Sequence, residues 1–191
     1  INYLPNTLKE KLQNRELTIG SWITIPSTEV IEILSTAGFE WLVIDLEHTS
    51  ITLSEAKSLI QTIQANGMNA LVRVSSNNET EIKKVLDMGV NGIIVPMIKS
   101  KEEIAQAIGY TQYPPAGVRG VGLNRAHKYG VGFKEYREHS KSNLVVIAQI
   151  EHIKAVENLE EILSIEEVDG IIVGPYDLSA SMGYPGEYER A

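Results

Sequence analysis

The chain has 191 residues, 43% of them hydrophobic and 22% charged, with a formal net charge of -8. This is enough for one domain with a substantial core, and it excludes a disordered chain. The 17 Lys and Arg residues are scattered, which argues against a nucleic-acid footprint, and the absence of Cys excludes disulfides, thiolate catalysis and Cys-ligated zinc.

The start, Ile1-Asn2-Tyr3-Leu4-Pro5-Asn6, lacks the charged and apolar regions of a signal peptide. No apolar stretch approaches the roughly 20 residues of a membrane span, so a cytoplasmic protein without a membrane partner is expected. Strands are predicted at Ile19 to Ile23, Trp41 to Ile44, Ala70 to Val74, Gly92 to Val95, Leu144 to Ile150 and Gly170 to Val173. Helical patterns alternate with them at 28–37, Leu53 to Ala65, 79–88, 101–109 and 153–163. The clearest is Leu53 to Ala65, which sets Leu53, Ala56, Leu59, Ile60 and Ile63 on one face behind Ser54 or Thr52 as a cap. Residues 110–143 read as a long irregular segment rich in Gly, Tyr, Arg and His, and loops of that length are usually functional.

Such alternation, with strands that are apolar on both faces, predicts an α/β fold in which helices cover a parallel sheet. Polar groups follow several strands, and no glycine fingerprint follows the first, so a (β/α)8 TIM barrel is preferred over an open doubly wound sheet. Six units are visible where a complete barrel takes about 250 residues. The expectation is a single barrel domain over 1–191 with its last two βα units missing, the chain stopping after Arg190-Ala191 without a terminating pattern.

Chemistry-bearing residues cluster at the strand ends. Glu151 and Asp177 follow successive strands, and two converging carboxylates suit an octahedral Mg2+ or Mn2+; the bland alternative makes each a cap or a surface acid. His48 lies three residues beyond Asp45, close enough for the carboxylate to orient the imidazole for acid–base work. His127, His139 and His152 compete for that role: His127 could line the mouth, His152 could bind metal, and His139 reads as a helix-surface residue. Arg73 ends an apolar strand and must face a carboxylate, either Asp45 or Glu151, or else hold an anionic substrate. Arg119 and Arg125 are weaker candidates for the same service. Gly174-Pro175 lets backbone approach a ligand beside Asp177.

The ordered set Gly20-Ser21-Trp22, Gly38 to His48, Val72-Arg73-Val74, Val95-Pro96-Met97, Gly117 to Gly122, Gln149-Ile150-Glu151 and Gly174 to Gly183 resembles the HpcH/HpaI aldolase family from about residue 8 onward. The resemblance implies a class II pyruvate aldolase on a phosphoenolpyruvate/pyruvate-type barrel. Such an enzyme cleaves a 4-hydroxy-2-oxo acid reversibly to pyruvate and an aldehyde through a metal-stabilised pyruvate enolate. It implies Glu151 and Asp177 as ligands of Mg2+, Mn2+ or Co2+, His48 with Asp45 as the catalytic pair, and Arg73 stabilising the oxyanion. It further implies Gln149 near the metal water, Trp22 shaping the aldehyde pocket, and the backbone of Gly174, Pro175 and Tyr176 holding the pyruvate carboxylate. Small 2-oxo acids and aldehydes are the implied partners, in a homo-oligomer that is hexameric in the family. Leu46 and Tyr176 depart from the commonest pattern, which often has Gly and Ala there. Alternatives are a citryl- or malyl-CoA-lyase-like enzyme, a class I aldolase using Lys99, and a truncated, non-catalytic member of the family.

Overall fold

A computed structural model describes residues 7–189. The readings of Ile1–Asn6 and of the Arg190-Ala191 terminus lie outside the described residues. In chain order the elements are α1 (Thr7–Gln13), β1 (Gly20–Ile23), α2 (Thr28–Ser35), β2 (Trp41–Asp45), α3 (Leu53–Ala65), β3 (Asn69–Arg73), α4 (Glu79–Asp87), β4 (Gly92–Val95) and α5 (Lys101–Thr111). After a 3-10 segment, Arg125–Gly130, come α6 (Phe133–Asn143), β5 (Val145–Ile150), α7 (Ile153–Glu157), α8 (Leu159–Leu163), β6 (Gly170–Val173) and α9 (Pro175–Ser181). The strands form one six-stranded sheet in the order β1-β2-β3-β4-β5-β6, and every pairing is parallel. This is the predicted α/β architecture, a barrel-type sheet whose edges among the described residues are β1 and β6.

Side chains alternate across a strand, so each strand feeds two apolar layers. Leu42, Ile44, Ala70, Val72, Ile93, Val95, Val146, Ala148 and Ile150 belong to the main core, which α3, α4 and α5 supply with Leu59, Ile60, Ile63, Ile82, Leu86 and Ile104. The intervening Val43, Leu71, Ile94 and Val145 form a second cluster on the concave face with Leu8, and Trp22, Ile147 and Ile172 pack on it. Helix α1 therefore plugs the mouth at the strands' N-terminal ends. Its Lys9 donates to the Leu144 carbonyl at 2.8 Å and to Asp169 at 2.9 Å, tying the first helix to the entry of β6.

Three segments depart from the predicted pattern. Residues 110–143 are not wholly irregular, because α6 occupies the last third; within it only Tyr136 is buried, too weak an apolar stripe to register in the sequence. The helix expected over 153–163 is two short helices broken at Asn158. Asp177 lies in the first turn of α9, a helix absent from the predicted set. Among the described residues no helix is long and apolar enough to cross a membrane.

Candidate active site

Strand parity selects what the mouth contains. Continuing by twos from the concave-face residues Val43, Leu71, Ile147 and Ile172 gives Asp45, Arg73, Gln149, Glu151 and Gly174 at the C-terminal rim, with Trp22 alongside on β1. In the register Asp45 is directly opposite Arg73.

Arg73 organises this rim. Its Nε and Nη2 donate to Asp45 Oδ1 at 2.9 Å and Oδ2 at 2.7 Å, its Nη1 donates to Gln149 Oε1 at 3.3 Å, and the guanidinium stacks 4.7 Å from the Trp22 ring. A bidentate, stacked guanidinium is held in one plane. Gln149 passes the link on, donating from Nε2 to Glu151 Oε2 at 2.6 Å, while Glu151 Oε1 accepts from the Met97 amide at 2.7 Å. Met97 has a positive φ of 55°, and that turn aims its amide at the carboxylate. Burial works against the Asp45 charge, but the Arg73 bonds and the Glu47 and His48 amides outweigh it and hold the carboxyl below its ordinary value. For Arg73 burial is likewise overcome, by Asp45, Glu47 and Glu151, so its pKa rises.

Glu47 was not singled out in the sequence, yet it belongs here. Its Oε2 lies 3.2 Å from Arg73 Nη1 and has no hydrogen-bond partner among the described residues. Burial pushes its pKa up, Arg73 opposes, and the charges of Glu151 and Asp45 add to the rise. The available signal was its spacing of two from Asp45.

The expected contact between Asp45 and the His48 imidazole is not made. Asp45 is committed to Arg73 and to the amides of Glu47 and His48, accepting at 3.0 and 3.3 Å. The His48 side chain is 63% exposed, with Nε2 3.8 Å from Glu47 Oε2. Gly174 donates its amide to the Ile150 carbonyl at 3.0 Å and Pro175 has none to give, so only Tyr176 and Asp177, in the first turn of α9, retain amides for a ligand.

Other candidates serve the scaffold. His127 is fully buried, 2.7 Å from the Tyr113 hydroxyl, and does not line the mouth; burial lowers its pKa. Arg119, 1% exposed, donates to Asp87 at 2.7 Å and to the Tyr136 hydroxyl at 3.1 Å. Arg125 donates to the Met88 carbonyl at 2.8 Å, at the entry of β4 and so at the opposite end of the sheet. His152 caps α7, accepting from the Lys154 amide at 3.1 Å, which replaces the metal-ligand reading. His139 lies on α6, as expected. Lys99 lies beyond the end of β4, its amide bonded to Glu103.

Among the described residues no group of three or more His, Asp or Glu side chains is arranged to hold a metal ion. Glu151 and Asp177 both carry oxygen donors of the kind a hard divalent cation takes; Asp177 is exposed, whereas both Glu151 oxygens already accept, from the Met97 amide and from Gln149. Asp45, Glu47 and Glu151 crowd a region with one guanidinium, an excess of negative charge that a cation would offset. The glycine at 174 keeps the approach to Glu151 open, since a Cβ there would lie 2.8 Å from Glu151 Oε2.

Residues 18–191 match the family model described as HpcH/HpaI aldolase/citrate lyase. The 4-hydroxy-2-oxo-heptane-1,7-dioate aldolase of Shigella sonnei is 39% identical over 185 residues, covering 96% of this chain and 70% of that protein. The crystal structure of an HpcH/HpaI aldolase/citrate lyase family protein from Burkholderia cenocepacia J2315 superposes with a TM-score of 0.91 at 32% identity, over 97% of this chain and 75% of the other. That of the citrate synthase SbnG gives 0.84 at 32% identity, over 96% and 71%.

Proposed function

This chain belongs to the HpcH/HpaI aldolase/citrate lyase family, and on that premise we propose that it is a class II pyruvate aldolase, a carbon–carbon lyase. Its reaction is reversible cleavage of a 4-hydroxy-2-oxo acid to pyruvate and an aldehyde, carried by one barrel domain acting as a homo-oligomer. The observation that carries the reading is the Arg73 guanidinium, fixed by Asp45 and Gln149 beside the buried carboxylate of Glu151.

In this reading Glu151 and Asp177 hold a divalent ion, Mg2+, Mn2+ or Co2+. When bound, it supplies Lewis-acid polarisation of the carboxylate and keto oxygens of the 2-oxo acid. The amides of Tyr176 and Asp177 receive the substrate carboxylate. Arg73 is pre-oriented, so it stabilises charge growing on the 2-keto oxygen without reorganising. His48, exposed at the rim, removes the proton of the 4-hydroxyl; the C3–C4 bond breaks, its electron pair passes toward C3 and the keto oxygen, and the C4 carbonyl of the aldehyde forms. A proton then added at C3 completes pyruvate. Asp45 acts through Arg73 and through the turn that carries His48, and Trp22 walls the aldehyde side.

The test is pyruvate release from 4-hydroxy-2-oxo acids with EDTA and with restored Mn2+ or Mg2+, beside Glu151→Ala. Metal-restored turnover that the variant loses is expected. The likeness to a citrate synthase supports a second reading, a lyase or synthase of the citryl type; turnover of citryl or malyl thioesters, with none on hydroxy-oxo acids, would move the assignment there.

A further inference from the structure

Three guanidiniums among the described residues are buried or half-buried, and two of them are neutralised, Arg73 by Asp45 at 2.7 Å and Arg119 by Asp87 at 2.7 Å. The third, Arg125, makes no ion pair among the described residues. Its Nη1 donates to the Met88 carbonyl at 2.8 Å, while its Nε and Nη2 have no acceptor there and neither is sealed from solvent. Burial lowers its pKa with only Tyr129 opposing, whereas the pKa values of Arg73 and Arg119 rise against burial. In Arg73 the Nε and Nη2 edge takes the two oxygens of Asp45. The same edge of Arg125, suited to a bidentate carboxylate or phosphate, is unused by the protein.

Arg125 lines a cavity of about 520 Å3 at the end of the sheet opposite the rim, where the last turn of α3, the entries of β3 and β4, and α6 meet. No Asp or Glu lines it, and Gln61, Gln64, Asn69 and Ser140 add amide and hydroxyl groups. Two lining acceptors are already engaged, because Gln64 Nε2 donates to the Gly89 carbonyl at 2.7 Å and to Asn91 Oδ1 at 2.9 Å. A half-buried cation without a counter-charge is unfavourable, so the site gains most from a ligand that brings one. At about 30 Å3 per water-sized group, the volume also holds a hydroxylated body of several carbons. We propose that this cavity binds a small hydroxylated anion, its carboxylate or phosphate paired with Nε and Nη2 of Arg125 and its body against Gln61, Asn69 and Ser140. The site stands apart from the rim, at the other end of the parallel strands, and does not depend on the aldolase reading.

The test is calorimetric binding of glycerate and of glycerol 3-phosphate at physiological ionic strength without added metal, with neutral glycerol beside them, for the unaltered chain and for Arg125→Gln. Saturable binding of at least one anion and none of glycerol is expected, weakened at least about tenfold in the variant. The anion that binds more tightly tells a carboxylate ligand from a phosphate one. Binding of neither anion, or undiminished binding in folded Arg125→Gln, overturns the site. Phenylglyoxal labelling of the unaltered chain, mapped by mass spectrometry, decides the matter even if the variant does not fold. The bound anion should slow modification of Arg125, and an unchanged rate at saturating anion overturns the proposal.

Discussion

Asp45 and His48 show how far a local spacing can be trusted. Three residues separate them, but strand parity sends Asp45 across the sheet to its register partner Arg73, and the turn leaves His48 at the rim beside Glu47. The Arg73 partnership was legible because an unpaired guanidinium at the end of a buried strand is costly. The orientation of His48 was not, since it depends on backbone geometry within one turn. His127 was read as mouth-lining for want of any sign of its partners, Tyr113 fourteen residues earlier and the ring of Tyr136. Its burial yields a prediction. The pKa of folded His127 is lowered chiefly by burial; Asp87 opposes, and Arg119 adds a smaller lowering. As pH falls below the ordinary histidine value of about 6.5, the unfolded chain takes the proton first, so stability declines until the folded residue titrates. His127→Gln should therefore flatten the loss of Tm as pH falls below about 6.5; an equally steep loss in the variant would rule out His127 as its source.

At the scale of elements, the strands match their predicted spans to within a residue at each end because apolar Val- and Ile-rich runs mark them without ambiguity. Helix α3 matches its predicted span, and its start shows why: Thr52 accepts from the Glu55 amide while Glu55 Oε2 accepts from the Thr52 amide at 2.7 Å. Thr52→Ala removes half of that reciprocal cap and should lower unfolding free energy by about 1 kcal/mol, read as a reduced urea midpoint with unchanged slope. No change in midpoint would mean that packing of Leu59, Ile60 and Ile63 sets the helix start unaided. The split between α7 and α8 was not legible, because Asn158 interrupts the helix through its backbone while the apolar periodicity runs on. Helix α6 was hidden for the opposite reason, having almost no apolar stripe.

For the molecule as a whole, the barrel-type sheet was legible from the sequence because chemistry-bearing residues end several strands, and one parity rule then places Asp45, Arg73, Gln149 and Glu151 on the same rim. What parity could not supply was Glu47 and the cavity around Arg125, which arise from how loops and helices pack. If the rim binds a divalent ion, the folded state gains stability by mass action. Mn2+ at about 100 times its Kd should stabilise the chain by about 2.7 kcal/mol, seen as a raised Tm. Glu151→Gln should lose most of that rise, and an equal rise in the variant would place the ion elsewhere. The strand order carries one more consequence. Each strand pairs only with its neighbours in sequence, so during synthesis each βα unit meets a completed edge as it leaves the ribosome, and the sheet can grow in the direction of translation without waiting for distant segments. The exception is Lys9, which must wait for Asp169, 160 residues later, before the lower mouth is locked. Helix α1, made before the whole of the six-stranded sheet, is thus fastened only once the entry to its sixth strand is made.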